Sequence, residues 1–239
     1  PDRVDLTRDD AEVYLHDVYT GPGLAGVPRG TVKSLRVIAY HFGYPGLAGP
    51  DQIGYGGPWE VMRILGTVPL EADGSANFRV PANTPLAFQA LDAQGQAVQL
   101  MRSWVTAMPG EKLACVGCHE TPRDTAPARL ASAALRPARD LVPWRGPARG
   151  FDFEREVQPV LDRYCVGCHD GRQTPEGTVV MDLRADGTPV EVAIGKGVHR
   201  FTPSYVALHP YVRRPGPESD YALQIPLEYH ASTSELVQL

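Results

Sequence analysis

The sequence predicts an α+β chain: an N-terminal antiparallel β-sandwich-like domain, followed by a mostly α-helical or irregular domain. Three observations carry this reading. Short runs rich in β-branched and aromatic residues follow one another through residues 31–104, separated by turn residues. Residues 151–171 switch to a helical spacing of apolar positions. The chain's 24 Gly and 23 Pro exceed ordinary usage, which favours many turns over long regular elements.

The elements follow in order. In "TVKSLRVIAYHF" (31–42), Leu35, Val37 and Ala39 share one face, and Ile38, Tyr40 and Phe42 the other. That is a strand buried on both sides. "VMRILGTVPL" (61–70) is a second strand and "EADGSA" (71–76) a turn. In "SANFRVP", Ala76, Phe78 and Val80 alternate with Asn77 and Arg79, giving a third strand. "PLAFQALDAQGQAVQLMRSW" (85–104) reads as two strands around the turn Asp92-Ala93-Gln94-Gly95. A connecting segment rich in Ala, Pro and Arg follows, with one short helix near 128–135. In "FDFEREVQPVLDRYCVGCHDG", Phe153, Val157, Val160 or Leu161, and Tyr164 recur at helical spacing. Pro159 either opens the regular helix or kinks it. "VVMDLRADG" reads as a short strand and turn, and "PSYVALHPYV" as a helical turn broken by Pro210. The divisions are a β-rich domain over 1–110, a connector over 111–150 and a second domain over 151–239.

All four cysteines sit in two copies of one hexapeptide, "CVGCHE" (115–120) and "CVGCHD" (165–170). The spacing has a chemical reason. Two thiols three residues apart reach the two vinyl groups of one porphyrin and form thioethers, and the adjacent His offers a ring nitrogen to the iron. Cys-x-x-Cys-His is the c-type haem attachment signature. Redox disulfides and a four-cysteine zinc site are the alternatives. Neither needs a His directly after the second Cys, twice. The prediction is two covalently attached haem c groups: one on Cys115 and Cys118 with His119 proximal, the other on Cys165 and Cys168 with His169 proximal. The helix leading into the second motif makes 151–239 a c-type cytochrome-like domain. Haem attachment of this kind takes place outside the cytoplasm, so a periplasmic or otherwise exported protein is expected.

Composition narrows the partners. The net charge of −5 and pI near 5.8 offer no basic stripe for a nucleic acid. No apolar run reaches the roughly 20 residues of a membrane span. The polar start "PDRVDLTRDD" is no signal peptide and suits a mature chain or a piece of a longer one. A redox partner protein, such as another multihaem cytochrome or a further subunit, is the expected partner.

Several long stretches resemble the hydrazine synthase alpha-subunit family. They are residues 66–120, ending in "MPGEKLACVGCHE", then "FDFEREVQPVLDRYCVGCHDG", "YVRRPGPESDY" and "EYHASTSELVQL". "HDVYTGPGL", "PRGTVKSLRV" and "YHFGY" resemble the family's bacterial relatives. The resemblance implies the dihaem region of that family, without its β-propeller. In hydrazine synthases it implies a catalytic first haem, whose iron takes a Tyr four residues after the motif His while that His turns to zinc. Here that position is Arg123, and after the second motif it is Gln173. The departure leaves His119 as an ordinary proximal ligand.

Distal ligands come from the remaining histidines and the four methionines. His41, in "YHFGY", is the first choice for haem 1, and His16 the second. Met101 and Met108 lie near in sequence but read more simply as core and strand-end residues. For haem 2, His230 leads His209, with His199 third and Met181 the sulfur alternative. Arg213 and Arg214 are propionate-binding candidates or a solvated pair held by Glu218 and Asp220. Two function classes remain open. One is a dihaem electron carrier with both irons fully ligated. The other is a haem enzyme with one open site for a small nitrogen or oxygen species, hydrazine synthase-like or peroxidase-like. The missing Tyr and the surplus of ligand residues favour the carrier.

Overall fold

The computed structural model describes residues 4–42, 54, 61–121, 123–194, 197–215 and 223–238. Its N-terminal part is built from two sheets. Strands β1 (Asp10–Leu15), β2 (Ser34–His41), β3 (Val61–Pro69), β4 (Ala76–Pro81), β5 (Leu86–Leu91), β6 (Ala97–Gln99), β7 (Lys112–Cys115) and β8 (Arg149–Gly150) form it. One sheet runs β6-β5-β2-β3-β8 and is antiparallel throughout. The other runs β4-β1-β7, with β1 antiparallel to β4 but parallel to β7. The wholly antiparallel expectation is therefore corrected at one strand pair. β7 enters from a distant point in the chain and needs no hairpin to reach β1.

A single core joins the two sheets. Ala11, Val13 and Leu15 of β1 and Phe78 and Val80 of β4 meet Leu35, Val37 and Ala39 of β2 and Leu86 and Ala90 of β5. The alternation in these strands puts every second side chain on the shared face. Ile38 and Tyr40 are also buried, on the other side of β2. The sequence singled out β2 to β6. It passed over β1, although "DAEVYL" alternates cleanly, with Ala11, Val13 and Leu15 buried.

The connector is not loose. Val142 bridges to Thr67, and Arg139 to Phe78. The helix expected near 128–135 is one 3-10 turn, Ser132–Leu135, whose Ala133 is buried. Pro127 and Pro137 bracket the segment and keep it short.

A second, smaller core forms around Leu161, Leu183 and Leu208, with Phe153, Val157, Cys165, Met181 and Leu236 against it. A π-helical turn, Phe153–Val157, is capped by the Asp152 carboxylate, which accepts from the Arg155 N–H at 3.0 Å. Helix α1 (Gln158–Tyr164) then begins with Pro159 in its first turn, where a missing N–H does no harm. Helix α2 (Pro203–Leu208) yields to a 3-10 turn at His209–Tyr211, as Pro210 requires. Buried Gln158 ties these parts together: it donates to the Leu183 carbonyl at 2.9 Å and accepts from the Ser204 hydroxyl at 2.7 Å. The "VVMDLRADG" stretch pairs back through Asp170–Asp182 and Gln173–Val179 bridges. Strands β9 (Val190–Ile194) and β10 (Gly197–Phe201) form a hairpin that the sequence did not announce. Helix α3 (Glu235–Gln238) closes the described chain. This second part combines short helical turns, the β9–β10 hairpin and irregular segments.

The C-terminal segment returns to the first domain. Leu227 donates its N–H to the Val98 carbonyl at 2.8 Å, and Gln99 donates to the Gln224 carbonyl at 2.8 Å. His230 Nε2 meets Asp92 at 3.0 Å. Among the described residues, no helix is long and apolar enough to cross a membrane.

Candidate functional site

The first hexapeptide grows directly out of the sheet. β7 ends at Cys115, and the pairing with the β1 side continues beyond it. His16 donates its N–H to the Cys115 carbonyl at 2.9 Å, and Asp17 to the Val116 carbonyl at 3.1 Å. The loop after β1 then folds over the motif. Gly23 N–H reaches the Cys118 carbonyl at 3.2 Å. A Cβ at Gly117 would lie 2.1 Å from the Thr20 carbonyl oxygen, so only glycine lets these two backbones meet. Glu120 closes the turn from the other end: its carboxylate accepts from the Val116 N–H and, at 3.1 Å, from the Gly117 N–H. His119 takes a left-handed backbone with φ of 56°. His tolerates that region better than most residues.

Beside this turn lies a cavity of about 530 Å³. That is within the range of roughly 300–1,000 Å³ typical of ligand and cofactor sites. Cys115, Cys118 and His119 line it. Its apolar walls include Val13, Leu35, Phe78 and Phe88 from both sheets, and Leu223 from the returning C-terminal segment. Met101, Arg102 and Gln99 also face it.

The thiols are held neutral. Burial pushes Cys115 up to about 11, with the Glu120 charge adding to it. Burial pushes Cys118 up to about 12, with Cys115 beside it. Redox-active pairs have the opposite character, with an attacking thiol lowered by positive surroundings. Among the described residues, no three His, Cys, Asp or Glu side chains converge on one point. Cys115 and Cys118 pack on the first core, and Cys165 on the second.

The second hexapeptide continues α1. Cys165, Cys168 and His169 occupy one further helical turn, with the Cys168 and His169 N–H groups donating to the Cys165 carbonyl at 3.0 and 2.9 Å. Cys165 packs on the small core, whereas Cys168 and His169 are exposed. A Cβ at Gly167 would meet nothing within 4 Å. The two copies of one hexapeptide therefore sit in opposite surroundings.

The other histidines lie apart from the 530 Å³ cavity. His16 is only 6% exposed, and its Nδ1 contacts the Tyr14 hydroxyl at 3.1 Å. His41 lines a separate pocket with Arg63. Both ring nitrogens of His230 are engaged, by Asp92 and by the Ser232 hydroxyl. His209 contacts Arg214 and lies beside Tyr205. His199 stacks on Phe201. Met181 packs on the same core as Cys165. Arg213 donates to the Glu228 carbonyl at 2.7 Å and covers Tyr229. Glu218 and Asp220 lie outside the described residues.

Sequence reasoning missed Thr20, Gly21 and Gly23 as a lid on the motif, and Glu120 as its clamp. The signal was present in "TGPG", two glycines around a proline, but nothing local says what such a turn packs on.

An ionic cluster braces that lid. Asp17, 4% exposed, is held by Arg29 at 3.0 Å, Arg129 at 3.0 Å and the Tyr19 N–H at 3.1 Å. Asp73 receives the Ser132 N–H at 2.7 Å, the Ser75 hydroxyl at 2.6 Å and Arg129 at 3.1 Å. Burial opposes ionisation of both carboxyls, but these donors outweigh it and hold both below the usual range. A depressed carboxylate stabilises the fold above its unfolded value, near 3.9, and that contribution is lost as pH falls through the folded value. Wild-type unfolding free energy should therefore fall below about pH 4. Asp17→Asn should lose about 1–3 kcal/mol at pH 7 and show a shallower acid limb. Urea titrations at pH 7, 4 and 3 check this; identical slopes in the two proteins would refute it.

Residues 30–120 match the family described as the hydrazine synthase alpha subunit middle domain. This segment is hydrazine synthase alpha-like. It contains β2 to β7 and the whole first hexapeptide. A solved chain of Kuenenia stuttgartiensis hydrazine synthase superposes with a TM-score of 0.57 at 18% identity, covering 87% of this chain and 35% of that one. The likeness is one of fold, and this chain spans about a third of that chain's length. Among curated proteins, none matches the chain.

Proposed function

We propose that this hydrazine synthase alpha-like chain is a dihaem c-type protein that passes electrons between redox partners in an exported pathway. The observation that carries the reading is the 530 Å³ apolar cavity with Cys115, Cys118 and His119 in its wall. The residues fit the group. Two thiols three residues apart, followed by a His, match the spacing that reaches both vinyl groups of one porphyrin, and the apolar walls suit its face. Haem, when bound, supplies a one-electron iron couple.

The chain's own residues do the rest. Cys115 and Cys118 would anchor the first haem, and His119 would offer its imidazole. The Thr20–Gly23 lid and the Glu120 clamp fix the turn that carries them. Phe78, Phe88 and Leu35 exclude water from the cavity and keep the surroundings of the charge change constant. Met101 lines the same cavity and is its candidate second ligand in place of His41 or His16. Cys165, Cys168 and His169 would hold the second haem at the end of α1, where exposure suits contact with a partner. A redox protein or further subunit is the proposed partner.

The test is expression with a c-type maturation system, followed by pyridine haemochrome assay. Two covalent haems per chain are expected. Cys115→Ala/Cys118→Ala and Cys165→Ala/Cys168→Ala should each retain one. A chain that acquires no covalent haem refutes the proposal. Reduced protein whose spectrum ignores carbon monoxide supports the carrier, and one that binds it shifts the reading to an open-site enzyme.

A further inference from the structure

We infer that the His41–Arg63 pocket is a binding site for a small anion that presents two oxygens, a carboxylate or an oxyanion. The pocket is separate from the haem cavity. It measures about 370 Å³ and is lined by Tyr40, His41, Phe42, Arg63, Asn83, Thr84 and Pro85.

Strand register brings the two key residues together. His41 pairs with Val61 and Ala39 with Arg63 across β2 and β3. His41 and Arg63 are thus diagonal neighbours on one sheet face, within reach of long side chains. Asn83, Thr84 and Pro85 come from the turn before β5, held against β2 by the Tyr40 N–H on the Pro85 carbonyl at 2.9 Å. Trp104 packs on Tyr40 and Phe42 at ring distances of 5.8 and 5.3 Å, stiffening the aromatic wall.

Two side-chain nitrogens of this pocket, one on Arg63 and one on His41, have no hydrogen-bond partner among the described residues. Arg63 Nε is buried without an acceptor, and among the described residues its guanidinium has no ion pair. His41 Nε2 is likewise buried without a partner. Buried polar atoms are almost always satisfied, so two orphans lining one pocket point to an absent ligand. Burial, and then the Arg63 charge, hold His41 below its ordinary value. The imidazole is therefore neutral near pH 7 and does not compete with the guanidinium for charge.

The sign of the site selects its ligand. A guanidinium beside the imidazole repels a metal cation and attracts an anion. Its planar fork matches two oxygens of a carboxylate or an oxyanion. A neutral imidazole supplies a further donor, whereas the Thr84 hydroxyl proton is committed to the Ala82 carbonyl at 3.0 Å. Arg63 and His41 are thus the recognition elements.

The experiment titrates the whole chain with inorganic phosphate and, separately, with acetate. Calorimetry gives the affinity, and NMR follows the His41 ring signals. At least one anion should bind, and His41 should shift with it. Arg63→Met should weaken that binding at least tenfold, and His41→Gln several-fold. Arg63→Lys, which keeps the charge and loses the fork, should fall between wild type and Arg63→Met. The phosphate and acetate arms distinguish an oxyanion site from a carboxylate site. Failure of both anions to bind, or a His41 signal that does not move at saturation, overturns the inference without reference to any variant. Equal affinity in Arg63→Met overturns it as well. None of these readouts depends on haem content.

Discussion

Gly117→Ala should lower the melting temperature by roughly 6–12 °C, the effect of about 3 kcal/mol of overpacking in a chain of this size. The equivalent Gly167→Ala should change stability by no more than about 0.5 kcal/mol. The two glycines hold the same place in the same hexapeptide, so sequence alone assigns them one fate. The surroundings separate them. At Gly117 the added carbon would meet the Thr20 carbonyl oxygen at 2.1 Å and the Thr20 carbonyl carbon at 2.7 Å. These are backbone atoms, and no side-chain rotation relieves the clash. Nor is Thr20 free to retreat. Its N–H is bound to the Asp17 carbonyl at 3.0 Å, and Gly23 behind it is bound to Cys118 at 3.2 Å. Asp17 is itself fixed by Arg29 and Arg129. The strain would therefore spread into the lid or into the turn carrying Cys115 and Cys118. At Gly167 the added carbon enters open space. Calorimetric melting of both variants checks the pair, and equal shifts would show that the lid does not pack on the motif.

The same contrast explains what the sequence could and could not disclose. β2 to β6 were legible because short runs of β-branched, aromatic and other apolar residues follow one another between turn residues. The start of α1 was legible because proline has one comfortable place in a helix. The two hexapeptides were legible as a repeated motif because the pattern depends on spacing along a few residues. Their difference was not, because it depends on who lies above each one. The lid comes from residues 20–23 and the ionic brace from Asp17, Asp73 and Arg129, far apart in the chain. The parallel pairing of β7 with β1, which creates the lid's position, is likewise a long-range contact. His41 illustrates the limit most clearly. Its place at the end of an apolar strand, among aromatics, suggested a ligand pointing into a haem pocket. Strand register instead sets it beside Arg63, on the wall of another pocket. Met101 is the reverse case: an ordinary residue after a short strand that lines the same cavity as Cys115, Cys118 and His119.

That placement gives the second large effect, which rests on the proposed haem. Met101→Ala should convert the first haem from low-spin to high-spin and open it to carbon monoxide, while the second haem keeps its spectrum. The thioether is a soft, adaptable ligand that raises the potential relative to a second imidazole. Its loss should therefore also lower the potential of the first haem. Overall stability should fall far less than in Gly117→Ala. Met101 is only partly buried, and its removal leaves the lid and the clamp in place. His41→Ala and His16→Ala serve as the decisive comparisons, since both rings lie off the cavity wall. They should leave the low-spin spectrum unchanged. Absorption spectra of the oxidised protein, and of the reduced protein under carbon monoxide, read all three variants after haem content has been matched. An unchanged spectrum in Met101→Ala, or a high-spin shift in His41→Ala, would place the second ligand elsewhere. A wild-type first haem that already binds carbon monoxide would mean that the cavity holds an open iron, and that its Arg102 and Gln99 face a substrate rather than a buried ligand.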